Sequence, residues 1–328
     1  MDTRRRLANF IKPKFLFSRE EFQLSSTNAR RVQTYLYRLS IFRIAIGLLN
    51  IAYLYTIFDD RLYLYGRYGL IDGEINALLK PPYIPTVTDA SDWLLHAGLV
   101  ATEPAAIDVL LALNLFFSVL LTVGFFTRVS ALATWLLTLL FLNTTLLLSY
   151  GFDALLSNCL FFCVILPTTR LSLDARISNV DEQEKFSVFS IWFLRVFLSI
   201  IYFFSGLNKL GGTDWWNGDA IWKVANLPPL SQMPLQDLVY FSPIFPLFSI
   251  SVLMLETLYP LNLFFPRLRI FWIPAMIMMH VGIAVVMNLI LFAAVMVILN
   301  LCAFESLNLA NDFCNWSPLP RTHKKQRF

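Results

Sequence analysis

Long apolar runs separated by short polar breaks dominate the chain. The first extends from Leu39 to Phe58, and others follow at Ala105 to Phe125, Val129 to Ser149, Asp153 to Leu166, Ser187 to Leu207, Pro243 to Phe265, Ile270 to Met287 and Leu289 to Phe304. The last two are nearly continuous over about 35 residues, well beyond the roughly 20 that cross a bilayer once, so a tight reversal is predicted near Met287 and Asn288. The pattern predicts an all-α polytopic membrane protein with about eight transmembrane helices. Two longer polar stretches interrupt it, Asp59 to Pro104 and Asn208 to Ser242, and both are expected as long extracytoplasmic loops. In the first, the PPYIP and DASDW segments predict a short folded or interfacial element, not a second span.

Composition agrees with the pattern: 57% of the 328 residues are hydrophobic and 15% charged, so the lipid bilayer is the first partner implied. The 30 Phe, 12 Tyr and 8 Trp suit helix contacts and both membrane interfaces. The net charge of +4 is spread over loops and makes no nucleic-acid surface. With eight spans, 19 of the 26 Lys and Arg fall on one side and five on the other, with Arg43 and Arg195 inside spans. That asymmetry predicts a multi-pass protein with both termini cytoplasmic. It divides the chain into a basic tail (1–38), a transmembrane domain (39–304) and a second basic tail (305–328). The N-terminal MDTRRRLANFIKPKF is not followed by an apolar core with a cleavage site, so no signal peptide is expected, and an interfacial helix is predicted near Phe10 to Phe17.

The four cysteines make no disulfide framework: Cys159 and Cys163 share a helix face, Cys302 lies in another apolar segment, and Cys314 follows it. The three histidines are scattered, and no metal site is expected. Walker, zinc-protease, nucleophile-elbow and dinucleotide-binding motifs are all missing.

Ionisable residues within spans are therefore the chemical candidates. Arg43 lies near the start of the first span, where its stem can snorkel to headgroups. Arg195 is deeper and needs a partner in the bundle. Glu256 and His280, on consecutive apolar segments, can pair with each other, titrate together or satisfy Arg195. Asp153, at the start of its helix, suits a cap for free amides. Lys209 stands in the last turn of an apolar helix before Gly211 and Gly212, where a cation complements the helix C-terminus and glycine stops the helix. The same lysine, desolvated beside Trp215 and Trp216, can instead serve as a base, with Asn208 hydrogen-bonding the substrate. Both readings stay open on the residues alone.

Five segments carry a family resemblance: FRIAIGLL in the first helix, YGRYGLID after it, GFFTR at Gly124 to Arg128, LPTTRLSLDAR at Leu166 to Arg176, and YFFSGLNKLGGTDWWNG at Tyr202 to Gly218. Together they resemble the HTTM family, the membrane domain of vitamin K-dependent gamma-carboxylases and their bacterial relatives, over about Arg38 to Phe304. The resemblance implies that Lys209 is the base that deprotonates a quinol, with Asp153 as a second catalytic residue and Asn208, Trp215 and Trp216 as substrate-binding residues. Arg43, Arg195, Glu256 and His280 then hold the bundle. A quinone or hydroquinone is the implied cofactor, the activity is a carboxylase/epoxidase-like lyase or an oxidoreductase, and the location is a bacterial inner membrane.

The chain departs from that family at three points. Asn208 and Lys209 stand where the carboxylases have a lysine pair, Asp153 stands where they use a histidine, and residues 305–328 take the place of their large luminal domain. Carboxylation of a protein substrate is therefore not implied. The alternative is a non-enzymatic membrane component for maturation or export of a small secreted peptide, working through Asp59 to Pro104; a soluble redox partner belongs with the enzyme reading.

Overall fold

Segments in lipid still carry backbone amides and carbonyls, and a helix satisfies them without a neighbour. All regular structure among the described residues is accordingly helical. The computed structural model describes residues 26–71, 75, 78, 83–176, 180–226, 239–240 and 242–304. Both tail ends, 1–25 and 305–328, with the helix expected near Phe10 to Phe17 and with Cys314, lie outside the described residues.

In chain order the helices are α1 (Ser26–Ile57), α2 (Arg61–Tyr65), α3 (Val87–His96), α4 (Glu103–Val123), α5 (Thr127–Thr144), α6 (Gly151–Ile165), α7 (Val180–Leu210), α8 (Thr213–Asn217), α9 (Asp219–Ala225), α10 (Phe245–Thr257), α11 (Leu261–Phe264), α12 (Arg269–Met287) and α13 (Ile290–Ala303). Each of the eight apolar segments contains a helix. Four stretches, Val32–Ile57, Glu103–Val123, Phe186–Leu210 and Pro266–Met287, are long and apolar enough to cross a membrane by length and composition, where eight were expected. The shortfall has local causes. Helices α6, α10 and α13 have 15, 13 and 14 residues, and about 20 Å of helix falls short of a hydrocarbon core of about 30 Å. Helix α5 is longer but turns Thr127, Thr134, Thr138 and Thr144 into the interior, which dilutes its hydropathy.

The span expected over Pro243 to Phe265 is also broken. Pro260 has no N–H to give the Glu256 carbonyl, which takes the Tyr259 amide at 3.2 Å in a tighter turn, and α10 ends at Thr257. The reversal expected near Met287 and Asn288 is present, with Asn288 in the left-handed region at φ 54°. The polar stretch after α1 folds as expected into a short element. Thr86 caps α3 together with Asp89, the Val87 amide donates to Thr144 Oγ1 at 2.9 Å, and Arg61 pairs with Asp108 at 2.5 Å. The loop thereby lies across the ends of α4 and α5.

Helix α1 packs against α4, α6, α7 and α13, while α10 lies on α7 and α12 on α13. In mid-bundle, Asn50 donates to Asn114 Oδ1 at 3.1 Å and to Ser118 Oγ at 2.8 Å, and Thr138 donates to Asn50 Oδ1 at 3.2 Å. Buried amides in an apolar bundle hold helices together only when satisfied in this way.

At one end of the bundle, cations cap helix C-termini. Arg43 is fully buried and does not snorkel: Nη1 donates to the Leu121 and Thr122 carbonyls at the end of α4, and Nη2 to the Leu171 carbonyl. Arg38 donates to Cys302 O at 2.6 Å, and Arg195 Nε to Ala303 O at 2.8 Å, both at the end of α13. These carbonyls have no partner inside their own helices, and the helix dipole makes them a site for cations. Arg195 thus finds a backbone partner instead of Glu256. Asp174 completes this end by accepting from the Thr127 amide at 2.6 Å and the Phe126 amide at 3.1 Å, which caps α5. Gly124, at φ 81°, leaves room for Ser172 and Arg43.

Candidate functional site

Helix α7 carries Tyr202, Ser205, Gly206 and Lys209 along one face, at the spacing of successive helical turns. Gly206 faces the end of α10, where a Cβ would lie 2.5 Å from Thr257 Oγ1 and 2.6 Å from the Thr257 nitrogen. The two backbones therefore approach as closely as a missing side chain permits. That contact brings Lys209 onto Glu256, in the last turn of α10.

Lys209 Nζ donates to Glu256 Oε2 at 2.5 Å and to Ser205 Oγ at 2.6 Å, and it lies 5.1 Å from the centre of the Trp215 ring. An ammonium has three donors and no acceptor, so the hydroxyl, carboxylate and ring face surround it. The Glu256 side chain is 8% exposed and the Lys209 side chain 19%, which places the pair at the margin of the bundle. The glycines after Lys209 do not end α7 in a left-handed cap. Gly212, at φ −97°, is the N-cap of α8, and the Trp215 carbonyl accepts from Ser249 Oγ at 2.6 Å. Gly218 does need its freedom, with φ 89° and the Pro246 nitrogen 2.6 Å from where a Cβ would stand. Helices α8 and α9 are thereby pinned over the start of α10.

Two turns below Lys209 lies a buried hydrogen-bonded chain. Tyr202 Oη meets His280 Nε2 at 2.8 Å, Asn300 Nδ2 donates to Tyr202 Oη at 2.7 Å, and Tyr259 Oη donates to Asn300 Oδ1 at 2.7 Å. Tyr202, Tyr259, His280 and Asn300 are each at most 2% exposed. His280 is also within electrostatic reach of Lys209.

The expected site residues therefore divide. Lys209, Glu256 and Trp215 come together, and His280 adjoins them through Tyr202 rather than pairing with Glu256 or Arg195. Asn208 is exposed, and the half-exposed Trp216 donates from Nε1 to the Leu210 carbonyl at 3.1 Å, so neither is drawn into the buried cluster. Asp153 accepts from the Tyr150 amide at 2.8 Å, closing the start of α6 as a cap does, among Tyr53, Tyr65 and Tyr150. The Phe292 ring lies beside Gly151 at the start of α6 and 5.8 Å from the His280 imidazole.

Sequence reasoning missed Ser205, Tyr259 and Asn300. Asn300 carried a signal, being a lone amide in the apolar run Leu289 to Phe304, whereas Tyr259 was hidden by the assumption of an unbroken helix. Cys159, Cys163 and Cys302 are buried free thiols, and among the described residues no group of three or more His, Cys, Asp or Glu could hold a metal ion. A groove of about 470 Å³ opens elsewhere, between Ile51, Leu54 and Tyr55 of α1 and Leu111 and Leu115 of α4, and it shares no residue with the Lys209 cluster.

No curated protein and no solved structure matches the chain. The HTTM domain family matches over residues 88–307, which takes in GFFTR, LPTTRLSLDAR and the Lys209 segment but begins after FRIAIGLL and YGRYGLID. With two-thirds of its length in that match, from the loop over α4 to the end of α13, the chain belongs to the HTTM domain family of membrane proteins.

Proposed function

We propose that this HTTM protein performs proton transfer on a quinol-like or lipid-borne substrate at the Lys209 end of the bundle, with Lys209 as the base. In this reading the eight apolar helices form an eight-span domain with both termini in the cytoplasm of a bacterium, and Lys209 faces the opposite side of the inner membrane. The distribution of Lys and Arg over the loops supports that orientation.

The observation that carries the reading is the 2.5 Å contact between Lys209 Nζ and Glu256 Oε2 beneath the Trp215 ring. An ammonium cannot accept a proton, so a lysine base must first lose one, and the carboxylate is placed to take it. One proton moves from Nζ to Oε2, leaving a neutral amine and a neutral acid, a form that a low-dielectric site tolerates better than water does. The amine then takes the proton of a substrate hydroxyl, so that a substrate O–H bond breaks, an N–H bond forms and an oxyanion remains. The exposed Asn208 and Trp216 would contact the substrate where it enters. Asp153 is assigned to the cap of α6.

The test is quinol oxidation or epoxidation in membranes carrying the parent chain, Lys209→Ala, Lys209→Arg and Glu256→Gln. Loss of about 10²- to 10⁴-fold in the alanine variant is expected for a general base, with Glu256→Gln also impaired because the ammonium has nowhere to pass its proton. Retained turnover in both Lys209 variants would remove the base assignment.

A further inference from the structure

His280 holds a second polar atom that the bundle leaves unused. Its Nδ1 is buried, the residue being 2% exposed, and no hydrogen-bond partner meets it among the described residues. An unpaired polar nitrogen at that depth costs about 1–3 kcal/mol, and most buried polar groups in folded proteins do find partners. Its neighbours fix what this nitrogen carries. Asn300 Nδ2 is 2.9 Å from the Met296 carbonyl, which only accepts, so the amide nitrogen must face that way. The second hydrogen on Nδ2 then points to Tyr202 Oη, and Oδ1 accepts from Tyr259. Among the described residues His280 Nε2 is the one acceptor within reach of the Tyr202 hydroxyl hydrogen, so the buried hydroxyl donates to it. A neutral imidazole accepting at Nε2 carries its hydrogen at Nδ1. The chain from Tyr259 through Asn300 and Tyr202 thus sets the imidazole as an Nδ1–H donor.

We propose that this Nδ1–H is the donor that receives the far oxygen of a hydroquinone ring, the one para to the hydroxyl that Lys209 deprotonates. The inference rests on the quinol reading above for the class of substrate: a hydroquinone, whose second oxygen accepts a hydrogen bond. Tyr202, which touches the imidazole and not the substrate, is a positioning residue. Lys209 and Tyr202 lie seven positions apart on one face of α7, a rise of about 10 Å that one flat ring with its substituents can bridge. A donor that the protein has already oriented in a water-poor site holds the ring in register with Lys209 without reorganising.

The experiment uses the full chain in detergent micelles, with menadiol as the probe and Trp215 fluorescence as the binding signal. In His280→Asn the side-chain amide occupies the Nδ1 position, whereas in His280→Gln it occupies the Nε2 position and faces Tyr202. The expected result is that His280→Asn binds menadiol within about threefold of the parent chain while His280→Gln binds at least about tenfold more weakly. A purely structural histidine gives the opposite order, because its one protein contact is at Nε2, and that order overturns the inference. So does equal binding by the two variants, which is what a buried water on Nδ1 produces.

A second measurement needs no ligand. Nitrogen NMR of the histidine-labelled resting protein should show Nδ1 protonated and Nε2 bare, and a protonated Nε2 refutes the donor. The base reading fails separately: if Lys209→Ala keeps full turnover while the two His280 variants separate as expected, the donor stands and the base does not.

Discussion

The Arg43 end of the bundle and the Lys209 end both bury cations, and they neutralise them by different means. Arg43 and Arg195 donate to backbone carbonyls at the C-termini of α4 and α13 and in the Leu171 loop, with the Asp174 carboxylate within electrostatic reach of Arg43. A carbonyl cannot take a proton, so these guanidiniums are held as permanent donors. Around Lys209 the acceptors are a carboxylate and a hydroxyl, and both the amine and the carboxylate can change protonation state. The first arrangement holds fixed charges, while the second is the one that the proposed proton transfer would use. Three of the five resemblance-bearing segments, FRIAIGLL, GFFTR and LPTTRLSLDAR, meet at the Arg43 end. Part of the resemblance is thus explained by packing, and the chemical interest concentrates at the other end.

The sharpest way to break this contrast is Arg43→Met. It strands the Leu121 and Leu171 carbonyls, and loss of charged hydrogen bonds to buried acceptors should cost about 3 kcal/mol or more. A large fall in melting temperature in micelles is expected, with His280 and Lys209 behaviour unchanged in the protein that survives. If turnover falls while the melting temperature does not, the Arg43 end is not merely structural.

Next in size is Gly206→Val, which places a branched side chain where a single Cβ is already 2.5 Å from Thr257 Oγ1. Overpacking should cost about 1–3 kcal/mol, and it should separate Lys209 from Glu256. Crosslinking between cysteines placed on α7 and α10 reports the separation. Unchanged crosslinking would mean that the glycine contact does not hold the pair together.

Smaller effects come from the two capping carboxylates, one at each end. Burial alone would raise the Asp174 carboxyl, but the Thr127 amide and hydroxyl and the Phe126 amide outweigh it and hold the group below the ordinary carboxylate range. A carboxylate depressed in the folded state contributes stability that is fully present above its unfolded value of about 3.9 and is lost as pH falls through the folded value. Asp174→Ala should therefore lower stability by about 1 kcal/mol at neutral pH and show a smaller difference from the parent in strong acid, measured by thermal melts. Asp153→Ala should cost a similar amount with turnover retained. A turnover loss there, without loss of stability, would return Asp153 to the catalytic site.

Much of the architecture was legible from the apolar pattern. The helical class, the short folded element after α1 and the reversal at Asn288 all follow from segment length and from where polar residues interrupt the runs. The break in α10 was less legible because Leu253 to Phe265 reads as one apolar run, and the single Pro260 decides whether it continues. Arg43 left two readings open, snorkelling from its shallow depth along the chain or holding the bundle, and its burial agrees with the second. What buries it is the approach of α4 and the Leu171 loop, residues 78 and 128 positions away.

The candidate site shows the same division. That Lys209 closes an apolar helix beside two tryptophans is a property of the linear chain, because helical period and hydropathy act over neighbouring residues. That Lys209 meets Glu256, 47 positions on, and that His280 meets Tyr202, 78 positions back, is not. Those contacts depend on Gly206 admitting Thr257 and on Pro260 ending α10 at the right turn, and their energy comes from groups that the chain order keeps apart. The sequence by itself determined a helical membrane bundle with a lysine at one helix end. Only the tertiary structure decided that this lysine has a carboxylate partner and that an imidazole below it keeps one hydrogen-bonding atom unused among the described residues.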